Sequence, residues 1–138
     1  MIEPSEVEEL RPPLKTMSLV NLGIVRGSPL GGLGVFSGLT YERSDIVEVA
    51  PLILISPEDR PAVDNSVLYH HMLWDVPEPG WAVIMGGFGS FYNHADDPNC
   101  VYVPQPGTRF LPFVARRLIV PGEELTISYG SNIWFDKK

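Results

Sequence analysis

The chain has 138 residues, 44% hydrophobic and 20% charged, with a net charge of −7 from 17 acidic and 10 basic side chains. That length suits one compact domain and excludes two ordinary ones, and the composition is globular rather than disordered. The acidic balance argues against direct nucleic-acid binding, since such a surface repels a phosphate backbone, while a basic peptide is attracted to it.

In chain order, residues 1–16 carry Glu3, Glu6, Glu8 and Glu9 with Pro4, Pro12 and Pro13. They read as a loosely attached, flexible arm ahead of a domain over 17–138. The acidic start lacks the charged-then-apolar pattern of a secretory leader, and no apolar run approaches the ~18 residues of a membrane span. A soluble intracellular protein without membrane contact is the expectation. Residues 19–26 suit a strand, Gly27 to Gly32 a turn, and Val35-Phe36 the start of a second strand. Asp45 to Ile55 reads as one or two strands broken by Pro51. After a loop at Pro57 to Pro61, Asn65 to Trp74 is the best helix candidate, with Asn65 as its cap and Val67, Leu68, His71, Met72 and Trp74 as an apolar stripe. Pro77, Pro79 and Gly80 end it. Strands are expected at Trp81 to Met85, Val101 to Val103, Phe110 to Ala115 and Leu125 to Ser128. With 14 prolines and 13 glycines among these short runs, the fold class is mainly β and loop-rich.

Three segments carry residues of chemical interest. Gly31-Gly32-Leu33-Gly34 offers backbone without Cβ atoms, which suits a β-turn or the close approach of a ligand. No helix is expected after it, so it does not fit a dinucleotide fingerprint. Asn93-His94, followed by Pro98-Asn99, suits the satisfaction of buried backbone groups or contact with a ligand. Tyr129 follows Gly122-Glu123-Glu124-Leu125-Thr126-Ile127-Ser128 and is either an ordinary half-buried aromatic or a site hydroxyl. Glu123 and Glu124 resemble an acid/base pair by type, but neighbouring strand residues point to opposite faces. Structural pairing or exposure is expected of them. His70 and His71 lack carboxylate partners at ligand spacing, and Cys100 is the only cysteine, so neither a metal site nor an internal disulfide is expected.

Order and spacing of the three segments resemble the signature motifs of the SET-domain protein lysine methyltransferases, over roughly residues 19 to 135. The resemblance implies a SET fold: several short β-sheets, little helix, and an Asn93-bearing segment threaded as a pseudoknot through a loop of the C-terminal part, an arrangement rare among folds. It implies S-adenosylmethionine as cofactor, held by Gly32, Leu33, Gly34, Asn93 and His94, with one of Trp134 and Phe135, Trp134 first, stacking on the adenine. It implies Tyr129 as the catalytic residue and a substrate channel lined by Tyr69, Tyr92 and Tyr129, with His70 in place of Tyr69 if the register shifts by one.

Many SET enzymes carry a cysteine-rich zinc segment after the catalytic tyrosine. One cysteine excludes it, so the chain resembles the minimal viral and bacterial SET proteins, in which other C-terminal residues close the site. A homodimer would be another way of completing it. The implied function is methyl transfer to a lysine ε-amine of a basic protein or peptide, histone tails included. The rival is a catalytically silent SET-like module that binds a protein partner, motivated by Ser128, where many members carry Asp, and by the Tyr69/His70 ambiguity.

Overall fold

A computed structural model describes residues 2–11 and 22–129. The described strands are β1 (Gly23–Gly27), β2 (Leu33–Ser37), β3 (Ile46–Ile55), β4 (Met72–Trp74), β5 (Ala82–Met85), β6 (Asn93–His94), β7 (Cys100–Tyr102), β8 (Phe110–Ala115) and β9 (Glu124–Ile127). Two short α-helices, α1 (Pro4–Glu9) and α2 (Arg60–Asp64), and two 3-10 turns, Val67–His71 and Gly89–Phe91, accompany them. No described helix is long and apolar enough to cross a membrane. The fold is mainly β, as its many short β-branched runs separated by proline and glycine require.

The strands form two sheets, ordered β1-β2-β9-β6 and β4-β5-β3-β8-β7. Val35, Leu125 and Ile127 of the first sheet and Ala50, Leu111, Phe113 and Ala115 of the second meet in one buried cluster with Tyr92 and Tyr102. One pairing matters most for the site. β6 runs parallel to β9, with Asn93 opposite Thr126 and His94 opposite Ile127. Asn99 pins the crossing: its Nδ2 donates to the Glu124 carbonyl at 2.8 Å and its Oδ1 accepts from the Thr126 N–H at 2.9 Å. Two segments distant in sequence thus lie side by side. The C-terminal residues expected to complete the threading lie outside the described residues.

Three expectations are corrected. The described part of the supposed flexible arm is docked. Ile2, Val7 and Leu10 are buried against Val101, Val103 and Val114 in a second small core. Apolar residues at helical spacing inside the acidic run put one face of α1 on the sheet. The long helix over Asn65–Trp74 is absent. Asn65 instead closes α2, its Nδ2 donating to the Pro61 carbonyl at 2.7 Å. Ser66 is extended and caps the 3-10 turn by accepting from the Leu68 N–H at 3.2 Å. Met72 to Trp74 then pair with β5, Met72 opposite Ile84 and Trp74 opposite Ala82. Sheet pairing overrides the helical spacing there, and it leaves Val67 71% exposed. Finally, β3 runs unbroken through Pro51, which lies opposite Phe110, and the irregularity falls between Ile46 and Glu48. The Pro51 carbonyl still accepts from the Gly86 N–H at 2.8 Å, so the ladder loses little.

Ion pairs tether α1 as well. The Glu6 carboxylate takes Arg43 at 3.0 Å and Arg116 at 3.1 Å. Burial pushes the Glu6 carboxyl up, but the hydrogen bonds and charges of Arg43 and Arg116 outweigh it and hold the group below the usual carboxylate range. A lowered folded pKa contributes stability above the unfolded value of about 4.3, and that contribution is lost as pH falls through the folded one. Melting curves from pH 6 down to 3 should therefore show a smaller acid-induced drop in Glu6→Gln than in the wild type. Identical slopes would mean that the pair does not hold α1.

Candidate active site

The glycine turn joins β1 to β2. Gly31 (φ +124°) and Gly32 (φ +56°) occupy backbone conformations that side chains disfavour, and a Cβ at either would meet nothing within 4 Å. Open space therefore lies over the turn. Gly34 is constrained differently: its Cβ would sit 2.2 Å from Glu124 Oε2 and 2.9 Å from Asn93 Nδ2. The Glu124 carboxylate fills that space because it accepts from Ser28 Oγ at 2.7 Å and from Asn93 Nδ2 at 2.8 Å. Asn93 Nδ2 also donates to the Leu33 carbonyl at 3.0 Å. Glu124 and Asn93 together clamp the turn onto β6. The adjacent Glu123 bonds elsewhere, accepting from the Val120 N–H at 3.0 Å. The two carboxylates serve separate structural pairings.

Tyr129 is held at both ends. His94 Nδ1 accepts from its backbone N–H at 3.0 Å, and the rings pack at 5.6 Å between centroids. With Nδ1 accepting, the His94 proton sits on Nε2 and faces Asp96 Oδ1 at 2.9 Å. At the other end, the Tyr129 hydroxyl donates to the Tyr92 carbonyl at 2.5 Å. Burial, and then the Glu124 charge, push the Tyr129 phenol up, so it remains a protonated donor.

These residues border two cavities and a small third space, termed the neck, that shares lining residues with both. The first, about 190 Å³, is lined by Gly31, Gly32, Leu33, His70, His71, Ser90, Phe91, Asn93 and Tyr129. The second, about 130 Å³, is lined by Tyr69, His70, Met72, Trp74 and Tyr129. The neck, about 10 Å³, is bordered by His70, Met72, Ser90, Tyr92 and Tyr129 among others. His70 and Tyr129 line all three spaces.

Of the residues singled out from sequence, Gly32, Leu33, Asn93 and Tyr129 meet at the larger cavity, and Tyr69 and His70 both line the smaller one. Gly34 lies beneath the turn. His94 is not among the lining residues; it acts on the Tyr129 backbone. The Tyr92 ring, expected in the substrate channel, lies in the core instead. It is 1% exposed, packs on Phe113 at 4.7 Å, and donates its hydroxyl to Glu48. What Tyr92 presents to Tyr129 is its carbonyl. Trp134 and Phe135 lie outside the described residues. Sequence reasoning missed Trp74, which packs on Tyr69 at 4.9 Å, along with Ser90 and Phe91. No local signal marked them, because their position follows from β4 pairing with β5 and from the 3-10 turn after β5. Among the described residues no group of three or more His, Cys, Asp or Glu side chains could hold a metal ion.

Comparison with known proteins agrees with this architecture. The chain is 28% identical over 117 residues to a Schizosaccharomyces pombe histone-lysine N-methyltransferase specific for H3 lysine-37, covering 81% of this chain and 76% of that protein. A candidate histone methyltransferase of Plasmodium falciparum superposes with a TM-score of 0.66 at 26% identity, over 85% of this chain and all of that one. The Neurospora SET-domain protein DIM-5, a histone lysine methyltransferase, superposes at 0.57 with 21% identity, over 83% of this chain and 54% of that one, a likeness of fold. Residues 32–130 match the family described as the SET domain, and the chain belongs to the SET-domain family of protein lysine methyltransferases.

Proposed function

We propose that the chain transfers a methyl group from S-adenosylmethionine to the ε-amine of a lysine in a basic protein segment, with a histone tail as the first candidate. The observation that carries this reading is that both cavities have His70 and Tyr129 in their walls, and the neck, which shares lining residues with each, is read as the connection between them. One space suits a cofactor, the other an entering side chain.

The larger cavity fits the cofactor chemically. The Cβ-free turn at Gly31 and Gly32 lets a ligand approach the backbone, and Asn93 and Phe91 add a polar amide and an aromatic face. When bound, S-adenosylmethionine supplies a methyl group on a cationic sulfonium. The residues around the neck prepare the amine. A lysine must be neutral to attack, whereas its free pKa is about 10.4. Tyr69, Met72 and Trp74 strip water from an entering side chain, which disfavours the ammonium. The Tyr129 hydroxyl donates its hydrogen bond to the Tyr92 carbonyl, so the lone pairs of its oxygen serve the neck as an acceptor. It can take an amine N–H and aim the nitrogen lone pair along the neck. Orientation of that kind lowers a barrier by up to ~7–11 kcal/mol in the ideal case. The net charge of −7 favours encounter with a basic segment.

Incubation with isotope-labelled S-adenosylmethionine and core histones or basic peptides, read by mass spectrometry, is expected to yield methylated lysine. Calorimetric cofactor binding without transfer to any of them would favour a silent binding module. No binding would overturn the reading.

A further inference from the structure

We propose that Glu48 is a positioning residue for methyl transfer: by accepting the Tyr92 hydroxyl it fixes the backbone carbonyl that holds the Tyr129 hydroxyl. The inference rests on the reading that Tyr129 orients the reacting amine.

Glu48 lies on β3 and is 1% exposed. A carboxylate in such a place is an unfavourable choice for stability alone, because an apolar residue of similar volume serves a core as well or better. Burial pushes its carboxyl up, while hydrogen bonds from Tyr92 and Phe88 oppose that shift. Both oxygens are engaged by donors from one short segment. Oε1 accepts from the Tyr92 hydroxyl and Oε2 from the Phe88 N–H at 3.0 Å. The backbone is shaped around the carboxylate: Gly87 has φ +60°, and a Cβ there would stand 2.1 Å from Oε2.

Glu48 therefore grips both ends of the turn that walls the site. Between Phe88 and Tyr92 lie Ser90 and Phe91, which line the larger cavity. Ser90 Oγ ties the middle of the turn to β5, donating to the Met85 carbonyl at 2.9 Å. The Tyr92 carbonyl at its end accepts from Tyr129 at 2.5 Å. A rigid path thus runs from a core carboxylate to the hydroxyl at the neck. The residue whose carbonyl holds Tyr129 is the one whose side chain Glu48 holds.

Glu48→Gln and Tyr92→Phe are expected to lower kcat about 10-fold each, since small misplacements of a reacting group are costly, with the S-adenosylmethionine Kd unchanged. In a Tyr129→Phe background neither should cost anything further, as expected of groups acting through one another. A second readout needs no turnover. With tyrosine labelled by carbon-13 at Cζ, the Tyr129 resonance is the one lost in Tyr129→Phe. It should move in both Glu48→Gln and Tyr92→Phe in protein that still melts cooperatively. An unmoved resonance, losses that add in the Tyr129→Phe background, or failure of both variants to fold would overturn the proposal and leave Glu48 a core residue only. Wild-type turnover in Tyr129→Phe would instead remove the role assigned to Tyr129, whatever the resonances do.

Discussion

Tyr129→Phe is expected to lower methyl-transfer turnover by about 10²- to 10³-fold, the usual cost of losing one preorganised polar group at a reacting centre. The ring should stay in place without its hydroxyl. The His94 Nδ1 bond at 3.0 Å is to the Tyr129 backbone N–H, and the packing of the two rings at 5.6 Å does not need the phenol hydroxyl. Cofactor affinity should accordingly hold, and the lost hydrogen bond to the Tyr92 carbonyl should cost stability only about 1 kcal/mol. What disappears is the acceptor at the neck. Without it the amine is desolvated but not aimed, which lowers kcat and leaves binding intact. The hydroxyl is not a general base in this scheme. Burial and the Glu124 charge push its pKa up, so it stays protonated well above neutral pH, and the alkaline limb of a pH–rate profile is not expected to report its ionisation. Steady-state kinetics with calorimetry of S-adenosylmethionine binding provide the check. A variant that turns over like the wild type, or one that loses cofactor affinity in step with kcat, would contradict the assignment.

Residues of the candidate site that are marked by their own identity at one place in the chain were legible in the sequence. Gly31 and Gly32 need backbone conformations that only glycine adopts readily, Asn93 stands next to a distinctive His94 and Pro98-Asn99, and Tyr129 closes a recognisable run. Residues that act through a partner far along the chain were not legible. Glu48 and Tyr92 are 44 positions apart, and Asn93 and Glu124 are 31 apart, so no local window contains either pair. The same limit explains Trp74. Its place beside Tyr69 follows from a strand pairing that competes with a helical spacing of apolar residues, and tertiary contacts decide such contests. In α1 the acidic side chains dominated the composition, while Val7 and Leu10 carried the contact with the sheet. Charge density in a short segment is a poor guide to whether it docks, because three buried apolar residues, Ile2, Val7 and Leu10, and the well-paired Glu6 carboxylate suffice.

Gly34→Ala is expected to weaken S-adenosylmethionine binding by about 10- to 100-fold and to destabilise the fold by about 1–3 kcal/mol, the range for forcing atoms into filled space. The added methyl would meet Glu124 Oε2 at 2.2 Å. A carboxylate at the end of a free side chain would swing away at little cost, but this one is bound by Ser28 at 2.7 Å and Asn93 at 2.8 Å. Moving it releases both. The Asn93 amide then keeps only its bonds to the Gly31 and Leu33 carbonyls, and the side-chain clamp that Glu124 places on the turn is lost, although the backbone ladders to β9 remain. Gly27→Ala on the neighbouring strand serves as the control, since its Cβ would meet nothing within 4 Å and it should bind cofactor normally. The double variant Gly34→Ala with Glu124→Ala separates the two effects. Removing the carboxylate makes room for the methyl, so stability should recover in part. The clamp remains absent, so affinity should stay low. Recovery of affinity in the double variant would show that Glu124 merely obstructs the methyl and does not hold Asn93 to the turn. Loss of affinity in Glu124→Ala alone, at nearly wild-type stability, would show that the cofactor surface depends on a carboxylate that lies beneath it and outside the cavity lining.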